Sequence, residues 1–229
     1  TGLVPIYLKE RGLNDIKTIF TIHNLRFQGF FFNNVIENTL EIDRNKYFQE
    51  DGIKYYDMIS FLKGGVVYSD FVTTVSDSYA EEIKTPFYGE KLDGLMCARA
   101  NSLRGIVNGI DYNVFNPETD PYITKTYNAT TFRKEKVKNK IQLQKDLGLQ
   151  EDPKAMMIGI VSRLTDQKGF DLIAYVMDEL CQDAIQLVVL GTGDERYENM
   201  FRHFDWKYGK SVSANIYYSE ERSHKVYAA

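Results

Sequence analysis

The chain has 229 residues, 43% of them hydrophobic and 26% charged, with Lys+Arg 28 against Asp+Glu 32 and a formal net charge of −4. That is a globular composition, and its mild acidity leaves no electrostatic footprint for unspecific nucleic-acid binding. No apolar run approaches the roughly 20 residues of a membrane-crossing helix. Cys97 and Cys181 stand far apart outside any CxxC setting, which excludes a structural zinc site and argues against a disulfide framework.

Taken in order, Lys17–Ile22 (KTIFTI) is β-branched and aromatic and reads as a buried strand ending at His23-Asn24, ahead of an aromatic loop, LRFQGFFF. Tyr55–Tyr68 carries apolar residues at helical spacing, and Phe71–Val75 reads as a strand. Ser76 and Asp77 are helix caps for a helix that Pro86 ends. A short strand, Leu103–Val107, leads into Asn108-Gly109-Ile110-Asp111. From Asn113 to Thr126 a polar stretch with Pro117 and Pro121 reads as a connection between two lobes. The basic helix Thr131–Leu147 places Val137, Ile141 and Leu147 on an inward stripe and reads as a solvated face rather than a phosphate patch. Ala155–Val161 (AMMIGIV) has the continuous apolar character of a parallel strand covered on both faces. The loop SRLTDQKG follows, then a helix Phe170–Cys181, a strand Ile185–Leu190, the turn Gly191-Thr192-Gly193-Asp194, another helix, and a strand Ser213–Tyr218. This alternation is an α/β pattern built from βαβ units.

In an open parallel sheet, ligands bind beyond the carboxyl ends of the strands. His23, Asn108, Arg163, Lys168, the Gly191–Asp194 turn and Tyr218 all stand at such ends. Arg163 and Lys168 share one loop between a buried strand and a helix start, where free N–H groups and the helix dipole add to their charge. That combination makes a site for a diphosphate. GTGD is neither the GxGxxG fingerprint nor a Walker loop, which argues against a nicotinamide or flavin enzyme and a P-loop NTPase. His203 and His224 read as helix-surface residues, and the pairs Glu81-Glu82 and Glu220-Glu221 as solvated neighbours. The 16 tyrosines pair an apolar ring with a polar tip that suits sugar and base binding, although any single ring can equally fill a core.

Several of these stretches together resemble the bacterial glycogen synthase and plant starch synthase family. They are TIHNLRFQGFF (Thr21–Phe31), ISFLKGGVVYSDFVTTVSDSYAEEI (Ile59–Ile83), LRGIVNGIDYNVFNPETD (Leu103–Asp120), GIVSRLTDQKGFDLI (Gly159–Ile173) and VVLGTGD (Val188–Asp194). The resemblance implies an α/β, two-lobed glycosyltransferase (GT-B) architecture with Rossmann-like parallel sheets. Residues 1–115 would be the later part of the first, acceptor-side domain. Residues 116–153 would be the interlobe connection and charged helix, and residues 154–229 the start of the nucleotide-sugar domain. It implies transfer of glucose from ADP-glucose or UDP-glucose to the non-reducing end of an α-1,4-glucan, with retention. No metal or cofactor is implied, nor a nucleic-acid or membrane partner, and the setting is cytoplasmic, or plastid in a plant. The implied roles are diphosphate binding for Arg163 and Lys168, contact with the transferred glucose for His23 with Asn24 beside it, a donor-sugar contact for Asn108, and base packing for Tyr218. His23, Arg163 and Lys168 carry the catalytic part. Ser219 departs from the His that the family often has after that tyrosine.

The chain opens at Thr1-Gly2-Leu3 without Met, and it lacks the lysine-glycine-glycine loop that the family has near its amino terminus and the family's later glutamate-containing loop. It therefore reads as an internal piece, inactive by itself. Two other readings stay open: another nucleotide-sugar transferase of the same architecture, such as a sucrose synthase-like or mannosyltransferase relative, and a non-catalytic glucan-binding remnant.

Overall fold

The computed structural model describes residues 1–182 and 185–229. It divides into two compact units, Thr1–Gly109 and Ile110–Ala229. The first unit runs through α1 (Val4–Glu10), β1 (Ile19–Ile22), β2 (Phe30–Phe32), α2 (Arg44–Tyr47), β3 (Lys54–Tyr55), β4 (Met58–Ser60), α3 (Phe61–Tyr68), β5 (Phe71–Thr74), α4 (Asp77–Glu82), α5 (Asp93–Ala98) and β6 (Leu103–Gly105). The second holds α6 (Phe132–Asp146), β7 (Met156–Val161), α7 (Phe170–Leu180), β8 (Ile185–Leu190), α8 (Glu195–Lys207), β9 (Val212–Asn215) and α9 (Glu220–Ala228).

The first unit has a parallel sheet of order β1-β5-β6 and a small antiparallel sheet of order β2-β4-β3. The second sheet arises from two segments read differently in the sequence. The aromatic loop supplies β2, and the beginning of Tyr55–Tyr68 is strand β4 rather than helix. The reason is local: Phe30–Phe32 and Met58–Ser60 satisfy each other's backbone groups, and Ser60 then caps α3 by accepting from the Lys63 N–H. Gly64 and Gly65 let α3 pack closely on both sides. A Cβ on Gly64 would stand 3.0 Å from Ile53, and one on Gly65 would stand 2.5 Å from the Phe20 ring. One core gathers Ile22, Val66, Val72, Ile83, Met96 and Leu103 under the parallel sheet. Another gathers Leu3, Ile6, Ile36, Tyr47, Ile53 and Ile59 under the antiparallel one.

Asp70 ties the start of β1 to the turn before β5. It accepts from the Thr18 N–H at 2.8 Å, from the Thr18 hydroxyl at 3.0 Å and from Lys17 Nζ at 3.2 Å. These contacts, the Thr18 N–H foremost, hold its carboxyl at about 2, against an ordinary value of 3.8. A carboxyl depressed in the folded state contributes stability above its ordinary value and loses that contribution as pH falls through its folded one. Asp70→Asn is therefore expected to flatten the acid limb of a denaturation curve between pH 3.8 and about 2. An acid limb identical to that of the unsubstituted protein would overturn this.

The second unit is a three-stranded parallel sheet, β7-β8-β9, with helices on both faces. The central strand β8 shows why a continuous apolar run is needed there. Leu187 and Val189 enter a core with Phe170, Met177, Tyr197 and Phe201 of α7 and α8, whereas Val188 points the other way, to Leu143 of α6 and Val226 of α9. β7 is packed on both faces, Ile158 and Ile160 on one side and Met157 and Val161 on the other, and among the described residues it pairs only with β8, with Met156 64% exposed. β1 is likewise an outer strand, with Ile19 68% exposed.

The basic helix α6 is only partly the solvated face its sequence gives. Lys140 donates to the carbonyls of Pro153 and Ala155 at 2.7 and 2.8 Å, and Lys136 donates to that of Tyr227 at 2.8 Å. Two of its cations thus close the ends of neighbouring segments, and its buried positions are Asn139, Leu143 and Gln144. Gln144 spans to Asp152 and Gln186.

Candidate functional site

The three strands of the second unit end together at Val161, Leu190 and Asn215, and the loops that follow lock to one another. Ser162 N donates to Leu190 O at 3.1 Å, Leu164 N to Thr192 O at 2.9 Å, Asp194 N to Leu164 O at 2.7 Å and Gly191 N to Asn215 O at 3.1 Å. The glycines of the GTGD turn make this approach possible. A Cβ on Gly191 would stand 1.8 Å from Ser162 O, and one on Gly193 would stand 2.2 Å from Leu164 O. Glu198 of α8 fastens the turn from below. It accepts from the Gly193 N–H at 3.0 Å and pairs with Arg202 at 3.1 Å, and these contacts hold its carboxyl below the usual range.

A cavity of about 340 Å³ opens above these strand ends, walled by Arg163, Gly191, Thr192, Tyr217, Tyr218 and Glu220, with Phe115 and Tyr227 completing it. Arg163 is exposed and makes no ion pair among the described residues. Tyr218 is 85% exposed and belongs to the turn between β9 and α9, because the strand stops at Asn215 rather than running on to it. Tyr217 turns back instead, its hydroxyl donating to Asn215 Oδ1 at 3.0 Å. Ser219 is the N-cap of α9, accepting from the Arg222 N–H. Lys168 lies in the same loop as Arg163, in a short 3-10 turn, Asp166–Lys168, directly before Gly169 and α7. It is exposed and stands off the cavity wall. Gly169 adopts φ 70°, so the chain reverses there and α7 presents its N-terminus at the strand-end edge.

In the first unit, His23 and Asn24 directly follow β1 and Asn108 follows β6, at the carboxyl edge of the parallel sheet with β5 between them. Two strand spacings put the flanking strands about 10 Å apart. His23 and Asn108 are exposed. Asn24 closes a tight turn, its Oδ1 accepting from the Arg26 N–H at 3.0 Å, and the Leu25 N–H is anchored on the Tyr79 hydroxyl at 3.1 Å. The buried Gln28 fixes the far side of that loop by donating to Glu90 O.

One reading of the sequence changes here. His224 is buried, not on a helix surface. Glu220 of the Glu220-Glu221 pair lines the cavity, while Glu221 pairs with Lys225 on the outside of α9. Phe115, Tyr217 and Tyr227 also line the cavity and went unnoticed in the sequence. Tyr217 had a signal in its adjacency to Tyr218, whereas Phe115 lies in the polar connection and had none.

The first 98 residues match the family model of the starch synthase catalytic domain. Over its whole length the chain is 63% identical to glycogen synthase of Lachnospira eligens and 56% identical to that of Lachnoclostridium phytofermentans, covering 49% of each. The chain is similar along its whole length to the glycogen and starch synthases. It spans about half the length of the curated relatives it matches. The catalytic domain of starch synthase IV from Arabidopsis thaliana, solved bound to ADP and acarbose, matches the whole chain with a TM-score of 0.92 at 29% identity, the chain covering 48% of it. The fold class is accordingly the α/β, GT-B class of these synthases, with a parallel Rossmann-like sheet in each unit. Among the described residues, no helix is long and apolar enough to cross a membrane, and no group of three His, Cys, Asp or Glu residues could hold a metal ion.

Proposed function

We propose that the protein carrying this chain transfers glucose from a nucleoside diphosphate glucose to the non-reducing end of an α-1,4-glucan, with retention, in the cytoplasm. The observation that carries the reading is the strand-end cavity of the second unit. There a guanidinium with no ion pair among the described residues and an outward-facing tyrosine share one wall with Ser219 and Glu220 at the start of α9. A diphosphate needs fixed cations and free N–H groups, and a base needs a planar apolar surface.

Arg163 and Lys168 hold the diphosphate and stabilise the charge that grows on it as the anomeric bond breaks, an electrostatic role that needs no metal. Tyr218 packs on the base. His23 and Asn24 contact the transferred glucose, and Asn108 contacts the donor sugar. Residues 1–115 act as the acceptor-side domain, 116–153 as the connection and 154–229 as the nucleotide-sugar domain. ADP-glucose is favoured as donor over UDP-glucose, because the Arabidopsis synthase of the same fold was solved with ADP.

The test is incorporation of labelled glucose into glycogen by the full-length protein, with ADP-glucose and UDP-glucose in parallel. Transfer from ADP-glucose with retained configuration is expected, and no incorporation from either donor overturns the reading. In the same assay, His23→Ala is expected to lower turnover strongly and leave inhibition by ADP nearly unchanged. If inhibition weakens as much as turnover falls, His23 serves the nucleotide instead of the sugar.

A further inference from the structure

His224 is sealed inside the second unit, with 2% of its surface exposed. Its Nδ1 stands 2.6 Å from Asp120 Oδ2, across 104 positions of sequence, and therefore carries the proton that the carboxylate accepts. The other carboxylate oxygen accepts from the Tyr122 N–H at 2.9 Å. Nε2 has no hydrogen-bond partner among the described residues. An unpartnered buried nitrogen is unfavourable, and an apolar side chain of similar size would fill the space without that penalty. Stability alone thus gives no reason for an imidazole here.

What the imidazole supplies is a flat face held at a fixed angle. Phe115 stacks on it with ring centroids 4.8 Å apart and planes 10° from parallel, and Tyr122 meets it edge-on at 5.1 Å. Phe115 comes from the otherwise irregular stretch after Asn113, and this contact is what orients it. It is 43% exposed, and it lines both the 340 Å³ cavity that holds Arg163 and Tyr218 and a smaller cavity of about 80 Å³ shared with His224. Tyr227, one helical turn from His224, braces the same ring edge-on at 6.3 Å.

We infer that His224 is a positioning residue of the nucleotide site: locked by Asp120, it fixes the ring of Phe115 as a second aromatic wall, so that Phe115 and Tyr218 together receive the planar base of a nucleoside diphosphate. The inference rests on the nucleotide reading above and extends it to three residues outside the strand-end loops. The chain of action runs from Asp120 to His224 to Phe115 to the ligand, and only the last of these touches it.

Titration calorimetry on the full-length protein tests this, with ADP and inorganic pyrophosphate as separate probes. Phe115→Ala is expected to weaken ADP about tenfold, the usual scale of a lost base–aromatic contact, and to leave pyrophosphate unchanged. His224→Ala should match it, and the double variant should bind ADP no more weakly than Phe115→Ala alone. Asp120→Ala should weaken ADP, whereas Asp120→Asn should restore most of the affinity. Its amide can donate to His224 Nδ1 in the other tautomer while its Oδ1 keeps the Tyr122 N–H. Should His224→Ala fail to fold, Phe115→Ala leaves the buried pair intact and decides the matter. Unchanged ADP affinity in Phe115→Ala overturns the inference, as do equal losses for pyrophosphate or additive losses in the double variant. Wild-type protein that binds neither probe overturns the nucleotide reading itself, a result distinct from wild-type binding that every variant retains.

Discussion

Arg163→Ala is expected to weaken ADP binding about tenfold or more, because a charge-assisted hydrogen bond to a phosphate contributes about 1.5–3 kcal/mol. The loss in turnover should be larger still, since the diphosphate gains charge in the transition state and the guanidinium then interacts with more of it. The structure makes this substitution a clean one. The side chain is exposed and engaged in no ion pair among the described residues, so its removal should leave the melting temperature unchanged. Lys168→Ala should have the smaller effect on binding, because Lys168 lies off the wall that Arg163 helps to form. Calorimetry with ADP, together with initial rates in the full-length protein, measures both. Unchanged affinity and turnover in Arg163→Ala, or a larger loss in Lys168→Ala, would overturn the assignment.

Gly191→Ala is expected to be the most damaging single methyl group in the second unit. Its Cβ would fall 1.8 Å from Ser162 O, inside the backbone of the neighbouring loop, and no side-chain rotation can relieve that. The loops must separate, which breaks the bonds from Ser162 N to Leu190 O and from Gly191 N to Asn215 O. Gly193→Ala meets Leu164 O at 2.2 Å and endangers the pairing of Leu164 with Thr192 in the same way. A steric clash with backbone plus two lost hydrogen bonds should cost about 3 kcal/mol or more. Equilibrium denaturation in urea gives the number directly, and a loss below about 1 kcal/mol in Gly191→Ala would show that the loops yield easily. Arg163 and the GTGD turn thus shape one site by different means: one by charge, the other by the absence of side chains.

The parallel strands were legible because their covering is legible. Ile185–Leu190 is apolar on both faces except at Gln186, as helices on both faces demand, and it is the observed strand residue for residue. Ser76 was readable as a cap because its side chain does the work locally, accepting from the Tyr79 N–H. The small antiparallel sheet was hidden, because β2 and β4 are three residues each and find their partners across the intervening α2 and β3. The overlong strand at Tyr218 has a similar cause. Ile216, Tyr217 and Tyr218 have strand composition, but Ser219 caps α9 and the chain must turn before it. Within the candidate site, Arg163 and Tyr218 could be found from strand ends alone. His224 and Phe115 could not, since their relation to the cavity comes from a contact with Asp120 across 104 positions that no local pattern encodes.

The parallel pairings also bear on the order in which the sheets can assemble. In the first sheet, Thr21 and Thr73 lie side by side although 52 residues separate them, and the whole antiparallel sheet intervenes. In the second, Met156 meets Ile185 and Leu187 meets Val212, each pair joined through a single helix. Closing a longer loop costs more entropy before any contact repays it, and non-local pairing slows folding. Synthesis delivers Thr1–Gly109 first, yet the unit made later has the shorter closures. The pairing of β1 with β5 is therefore the slower closure of the two sheets, although its strands are made first.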